Sequence, residues 1–294
     1  MLINISLLIS AALIWGAGFI ATKWTLNDYG PYWSNSLRFI IAGLFILPYL
    51  FYKIKKVNFH YFLGPLSCAC ILYISMQTQT IGLKYTTAAK SGFITTLYAF
   101  FIPILLMLFK GIKYQLSFWG LLAMSLLGIA MLCQFELSSF NIGDLWTCIC
   151  ALFFALHILI TAKITNNYHP IVLNGLQCVF VGLLSIIPAL YIEGVPSFTP
   201  LFQFDEIFKS STISGFIIVS IFSSNIAFSV QAYAQKTIPP HIVGLIFLLE
   251  SLFATIFGFL LLNEQLTSMT ILGGTLILIS LGLIPKFGRI IQTP

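Results

Sequence analysis

Apolar residues run along this chain in blocks of about twenty, broken by short clusters of Pro, Gly, Asn and Lys. Ten blocks stand out, near residues 4–26, 32–52, 60–82, 87–109, 116–134, 143–163, 170–191, 212–234, 240–262 and 266–285. A bilayer-spanning helix needs about 20 apolar residues, so the pattern predicts an all-α integral membrane protein with ten transmembrane helices. The first block is too long for a signal-peptide core and has neither a basic leader nor a small-residue cleavage site, so it is expected to remain as the first span. Only Lys53 to Phe59 and Gly194 to Ser211 leave room for extra structure, too little for a soluble enzyme domain.

The polar punctuation repeats. Gln79, Lys84 and Gly92 recur at the same separations as Gln231, Lys236 and Gly244, and Pro31, Asn35, Arg38 and Gly43 recur as Pro170, Asn174, Gln177 and Gly182. The chain therefore reads as an internal duplication, residues 1–137 holding spans one to five and 138–294 holding spans six to ten. Five is an odd number, so the second half enters the membrane from the opposite side. Two inverted five-helix repeats related by an axis in the membrane plane are the architecture of many secondary transporters.

Composition agrees with burial in lipid: 59% of the 294 residues are hydrophobic and 7% charged. The formal charge of +6 reads as topology rather than nucleic-acid binding. Lys53, Lys55, Lys56, Lys110, Lys113, Lys163, Lys236, Lys286 and Arg289 fall on one side, against Lys23, Lys84, Lys90 and Lys209 on the other. By the positive-inside bias both termini are cytoplasmic in a multi-pass protein of a bacterial inner membrane. The six cysteines sit inside predicted spans as small apolar residues and propose neither a disulfide framework nor a metal site. No Gly-x4-Gly-Lys-Ser/Thr phosphate loop is present, and the four histidines are dispersed. An ATP motor and a membrane enzyme are therefore both disfavoured; no cofactor is expected.

Several stretches resemble one family, the drug/metabolite transporters built from two EamA-type domains. Trp15-Gly16-Ala17-Gly18-Phe19 with Lys23 is similar to the family's opening helix, and Thr86 to Tyr98 with Pro103 beyond is similar to its fourth. Leu249-Glu250 and Leu262-Asn263-Glu264-Gln265-Leu266-Thr267 resemble elements of its ninth helix. Two positions depart from the pattern: Ser251 stands where the family has proline, which removes the residue that would break the helix there, and Asn263 replaces glycine. The resemblance implies a transporter of small organic metabolites, amino acids or related compounds, commonly running outward. An alternative is uptake or exchange of a host metabolite such as S-adenosylmethionine. It follows from the lysine-over-arginine bias and the abundance of Phe and Ile, which fit an AT-rich, intracellular bacterium.

Candidate site residues follow from polarity inside apolar spans. Glu250 lies near the centre of span nine, where an ionisable group costs at least about 2.5 kcal/mol unless protonated or paired, so it is the first candidate for proton coupling. His157 in span six is the second. Trp15, Gly18 and Thr22 share one face of span one and can line a cavity. Gln77 and Gln79 diverge by about 200° around their helix, and the repeat favours Gln79, matched by Gln231. Tyr98 and Asn225 complete the substrate-binding set. Arg38, about six residues into span two, can snorkel to the interface or reach a substrate carboxylate, and snorkelling or pairing with another helix is the expected role. Glycines Gly120 and Gly128, and Gly274 and Gly282, form stripes expected to mark close helix packing in a monomer or a homodimer.

Overall fold

The structure, a computed structural model, describes residues 2–54, 58–132, 140–204, 207, 211–262, 267–287 and 290–291. The predicted boundary at 137/138 lies outside them, as do Lys55, Lys56, Cys133, Glu136, Asp205, Glu206, Lys209, Asn263, Glu264 and Arg289. Helices α1 (Leu2–Thr25), α2 (Pro31–Lys53) and α3 (His60–Tyr85) are followed by α4 (Ala88–Thr95), α5 (Tyr98–Lys110) and α6 (Leu116–Leu132). Then come α7 (Ile142–Ile164), α8 (Pro170–Glu193), α9 (Thr212–Ile217), α10 (Phe228–Ala234), α11 (Pro240–Phe247), α12 (Leu249–Leu262) and α13 (Ser268–Phe287). Eight stretches are long and apolar enough to cross a membrane, counting α4–α5, α9–α10 and α11–α12 as one each. Two more, α6 and Ser268–Leu283 of α13, are apolar but shorter. The protein is an all-α membrane protein. The sequence pattern did not anticipate one short strand pair, β1 (Lys113–Tyr114) antiparallel to β2 (Ile290–Ile291).

Local chemistry explains the helix ends. Pro31, Pro170 and Pro240 occupy first-turn positions, where a fixed φ is already helical and the missing N–H is not needed. Asn141 and Asp144 form a reciprocal capping box at the start of α7. Gly111 ends α5 in the left-handed region, φ 63°.

The helices pack chiefly as α2 on α8, α3 on α7, α6 on α13 and α1 on α12. Small residues set these approaches: a Cβ on Gly16 would meet the Phe253 Cβ at 2.7 Å, and one on Gly182 the Phe39 and Ile40 backbone at 3.2 Å. The expected glycine stripes hold only in part. A Cβ on Gly128 would meet the Gly273 carbonyl at 2.7 Å, whereas one on Gly120 or Gly282 would meet nothing within 4 Å, because the α6–α13 contact runs through Gly128 and Gly273.

Three spans are irregular in mid-membrane. Span four breaks at Thr96–Leu97, where the Thr96 hydroxyl donates to the Phe93 carbonyl at 2.7 Å and competes with the ladder. Span nine breaks at Leu248, whose N–H bonds three residues back to Leu245; the break therefore needs no proline at position 251. Between α9 and α10, Ile218–Ala227 is wound as a π-helix, a form that concentrates at functional sites.

One end of the bundle is tied by buried polar groups. Lys90 Nζ lies 2.6 Å from Asp144 Oδ2, the Thr86 hydroxyl donates to Asp144 Oδ1 at 2.8 Å, and Lys23 donates to the Thr86 carbonyl at 2.8 Å. Nearby, the Glu193 carboxylate at the end of α8 accepts the Tyr32 and Trp33 N–H groups at 3.0 and 2.9 Å, capping α2 from another helix.

Candidate functional site

The two broken spans, the π-helical stretch and α1 meet around one small cavity that holds several polar groups. From α1 come Trp15, Gly18, Phe19 and Thr22; from α2, Arg38; from α3, Met76 and Gln79. Thr95 and Tyr98 flank the first break, and Phe247 and Glu250 flank the second. Phe154 and Ile158 of α7, Ser223 of the π-helix and Gln231 of α10 close the wall. The free space is about 30 Å³, room for a water or two and not for a metabolite.

Its polar groups are organised. Tyr98 donates its hydroxyl to Glu250 Oε2 at 3.0 Å and lies 3.2 Å from the Phe247 carbonyl exposed by the break. Glu250 is 6% exposed. Gln79 donates to the Thr95 hydroxyl at 3.2 Å, Gln231 to the Gln235 carbonyl oxygen at 3.1 Å, and the Thr22 hydroxyl to Gly18 O at 2.8 Å. Trp15 packs edge-on to Phe247, ring centres 4.8 Å apart, and donates its indole N–H to the Ser223 carbonyl at 3.3 Å. Arg38 donates from Nε to Ser224 at 2.8 Å and from Nη2 to Ser223 at 2.7 Å.

Seven of the residues singled out from sequence therefore share this cavity: Trp15, Gly18, Thr22, Gln79, Tyr98, Gln231 and Glu250. Gln77 turns away to Asn35 and the Pro31 carbonyl. Two others lie elsewhere. Asn225 donates to the Ala42 carbonyl at 3.0 Å and borders a separate lateral groove of about 630 Å³ beside α2, α8 and α10. Asn225 lies in the π-helical stretch, where Ser223 and Ser224 are the residues that reach Arg38. His157 is 1% exposed and meets the Gln177 side-chain oxygen at 2.8 Å, so it faces α8 and not the cavity. Arg38 does not snorkel: it is 5% exposed and belongs to the cavity wall.

Sequence reasoning missed Phe154, Ile158 and Phe247, although a signal existed. Phe154 and Ile158 follow Trp15 and Phe19 by the spacing that separates Pro31 from Pro170, and Phe247 follows Thr95 by the spacing that separates Gln79 from Gln231.

A polytopic helical protein with irregular spans around a small cavity that holds polar groups is the class to which membrane transporters belong. The comparisons with known proteins make this specific. The model of the EamA-like transporter family matches residues 2–134 and 141–285, and the chain belongs to that family. It is 31% identical over 274 residues to an uncharacterised transporter of Archaeoglobus fulgidus, covering 92% of this chain and 81% of the relative. It is 26% identical over 298 residues to a chloroplastic WAT1-related protein of Arabidopsis thaliana, covering 95% of this chain and 68% of that one. A solved crystal structure 15% identical superposes with a TM-score of 0.75 over 96% of both chains, a likeness of fold alone. The protein is thus a transporter of the EamA type and not an enzyme.

Proposed function

We propose that this protein is a secondary transporter of a small organic solute, an amino acid or related compound. In this reading ten spans in two inverted halves provide alternating access to the cavity. The observation that carries the reading is the pairing of cavity residues between the halves: Trp15 with Phe154, Phe19 with Ile158, Gln79 with Gln231, Thr95 with Phe247, and Tyr98 with Glu250 stand at the two repeat spacings. Helix limits follow the same spacings. Span four (Ala88–Thr95, then Tyr98) matches span nine (Pro240–Phe247, then Glu250), and α3 starts at His60 as α9 starts at Thr212. Packing is likewise consistent with the exchange of halves, since α2 on α8 and α6 on α13 each map onto themselves.

The five-pair wall lies on the axis, where inward-facing and outward-facing states become equivalent ways of breaking one symmetry. A free space of about 30 Å³ then belongs to a closed intermediate, and loading requires one half to rock against the other. The lysine distribution supports cytoplasmic termini in a bacterial inner membrane, which places the Lys90–Asp144 network on the outer side. Outward flux is the direction family kinship favours. Glu250, held by Tyr98 across the pseudo-axis and facing Arg38 in the same cavity, is the coupling group.

Uptake by proteoliposomes of a labelled amino-acid panel, with and without an imposed pH gradient, tests this for wild type and Glu250→Gln. Gradient-dependent accumulation, lost in the variant, is expected. Counterflow indifferent to both gradient and mutation would remove Glu250 from coupling and leave a facilitator or exchanger.

A further inference from the structure

Arg38 is a buried guanidinium whose hydrogen-bond partners among the described residues are neutral. It is 5% exposed, its bonds go to the Ser223 and Ser224 hydroxyls, and among the described residues no carboxylate lies within 4 Å of it. A cation in a spanning helix is costly unless it is compensated, and Arg carries five N–H donors in a rigid fork. Two serines orient that fork without neutralising it. Ser224 is positioned for the task by the π-helix: its own hydroxyl donates five residues back to the Val219 carbonyl at 2.8 Å, leaving its lone pairs for Arg38.

The two halves differ at this point. Arg38 corresponds by repeat spacing to Gln177, a neutral amide satisfied at 2.8 Å by His157. The position in α1 that corresponds to His157 is Gly18. Where one half has an amide and an imidazole at these two positions, the other has a guanidinium and a glycine. The space the missing ring leaves is part of the cavity, since Gly18 and Arg38 both line it. A Cβ on Gly18 would have nothing nearer than the Ser223 side chain, at 3.6 Å, so close helix packing does not account for the glycine.

We propose that Arg38 is the carboxylate-binding group for the transported solute, with Gly18 as the gap that admits the carboxylate. This rests on the transporter reading above and adds the charge its cargo must carry. The remaining walls at Trp15, Phe154 and Phe247 suit an apolar remainder. Glu250, the other charged group of the cavity, faces any ammonium the solute brings.

The test is counterflow in proteoliposomes with the protein amino acids as probes, each one that exchanges being compared with its carboxamide. Leucine and leucinamide are one such pair. The carboxamide keeps side chain and ammonium and loses the negative charge, so wild type should require at least about tenfold more of it for half-maximal exchange. Arg38→Gln, which installs the residue of the other half, should abolish that preference, and Arg38→Lys should retain it at weaker affinity. 4-Methylpentanoate, which keeps the carboxylate and lacks the ammonium, distinguishes a simple acid from an amino acid as its source. Equal use of acid and amide by wild type, or an undiminished preference in Arg38→Gln, overturns the role of Arg38 and leaves the transporter standing. Absence of exchange for every probe, amides included, overturns both. The wild-type comparison decides the matter even if the Arg38 variants fail to fold.

Discussion

Replacing Asp144 should destabilise the protein more than any other single change at that end of the bundle. Its side chain has no solvent exposure, and it serves three donors: Lys90 Nζ at 2.6 Å, the Thr86 hydroxyl at 2.8 Å and the Asn141 N–H at 2.8 Å. Removing one member of a buried ion pair costs about 3–5 kcal/mol, because the survivor is left charged in a poor solvent. Asp144→Ala takes the carboxylate away from Lys90, whose side chain is 11% exposed, and also removes the acceptor of the Thr86 hydroxyl and half a capping box. About 4 kcal/mol is expected. Lys90→Met leaves Asp144 with its other two donors and should cost about 2 kcal/mol, in the range for a charged hydrogen bond.

The double variant removes both charges together, so it should cost less than the sum of the singles by at least about 1.5 kcal/mol. Equilibrium unfolding in mixed micelles of rising denaturing-detergent fraction, followed by tryptophan fluorescence, measures all three. Single effects that add within about 0.5 kcal/mol would refute the reasoning, since an uncoupled pair is an exposed one. Salt provides an independent check: a buried pair is screened little, so the coupling should survive high ionic strength.

Other outcomes follow from named contacts. Gly16→Ala pushes a methyl onto the Phe253 Cβ and the Ala254 backbone N at 2.7 and 2.8 Å and should cost about 1–3 kcal/mol by forcing α1 from α12; Gly120→Ala, with nothing within 4 Å, should be neutral in the same unfolding assay. Tyr98→Phe deprives Glu250 Oε2 and the Phe247 carbonyl of one buried donor and should cost about 1–3 kcal/mol, read by thermal unfolding in detergent. Glu193→Ala uncaps Tyr32 and Trp33 N–H groups at about 1 kcal/mol, and hydrogen exchange should quicken at the start of α2 while α3 is unchanged.

Helix positions were legible because lipid imposes one rule on every spanning residue: backbone groups must be satisfied within the segment. That rule turns block length into helix length, and all ten predicted starts fall within two residues of the observed ones. What resisted reading were departures from ideal winding. Nothing in Ile218–Ala227 marks a π-helix, and Asn225 was named for the substrate-binding set while Ser223, which lines the cavity, was not. Thr96 and Leu248 carry no proline, so the paired breaks were invisible although the spacing that located them was on the page. Charge pairing was equally hidden: Lys90 counted in the sequence only as a topology signal, whereas the fold sets it 2.6 Å from Asp144.

Repeat spacing was the strongest signal in the sequence, and its exceptions carry as much information as its matches. Positions where the halves agree or exchange like for like, such as Gln79 with Gln231 or Trp15 with Phe154, form the cavity wall that, in the proposed alternating-access reading, both states share. Positions where they differ cannot be required by that shared geometry, because the other half manages without them. Arg38 against Gln177 and Gly18 against His157 are adjacent differences of this kind, and together they place one fixed positive charge beside an open space. In the reading proposed above, a duplicated scaffold needs no such charge to stand or to rock, and the charge serves to distinguish one solute from another. On that proposal, specificity resides in what the duplication did not preserve.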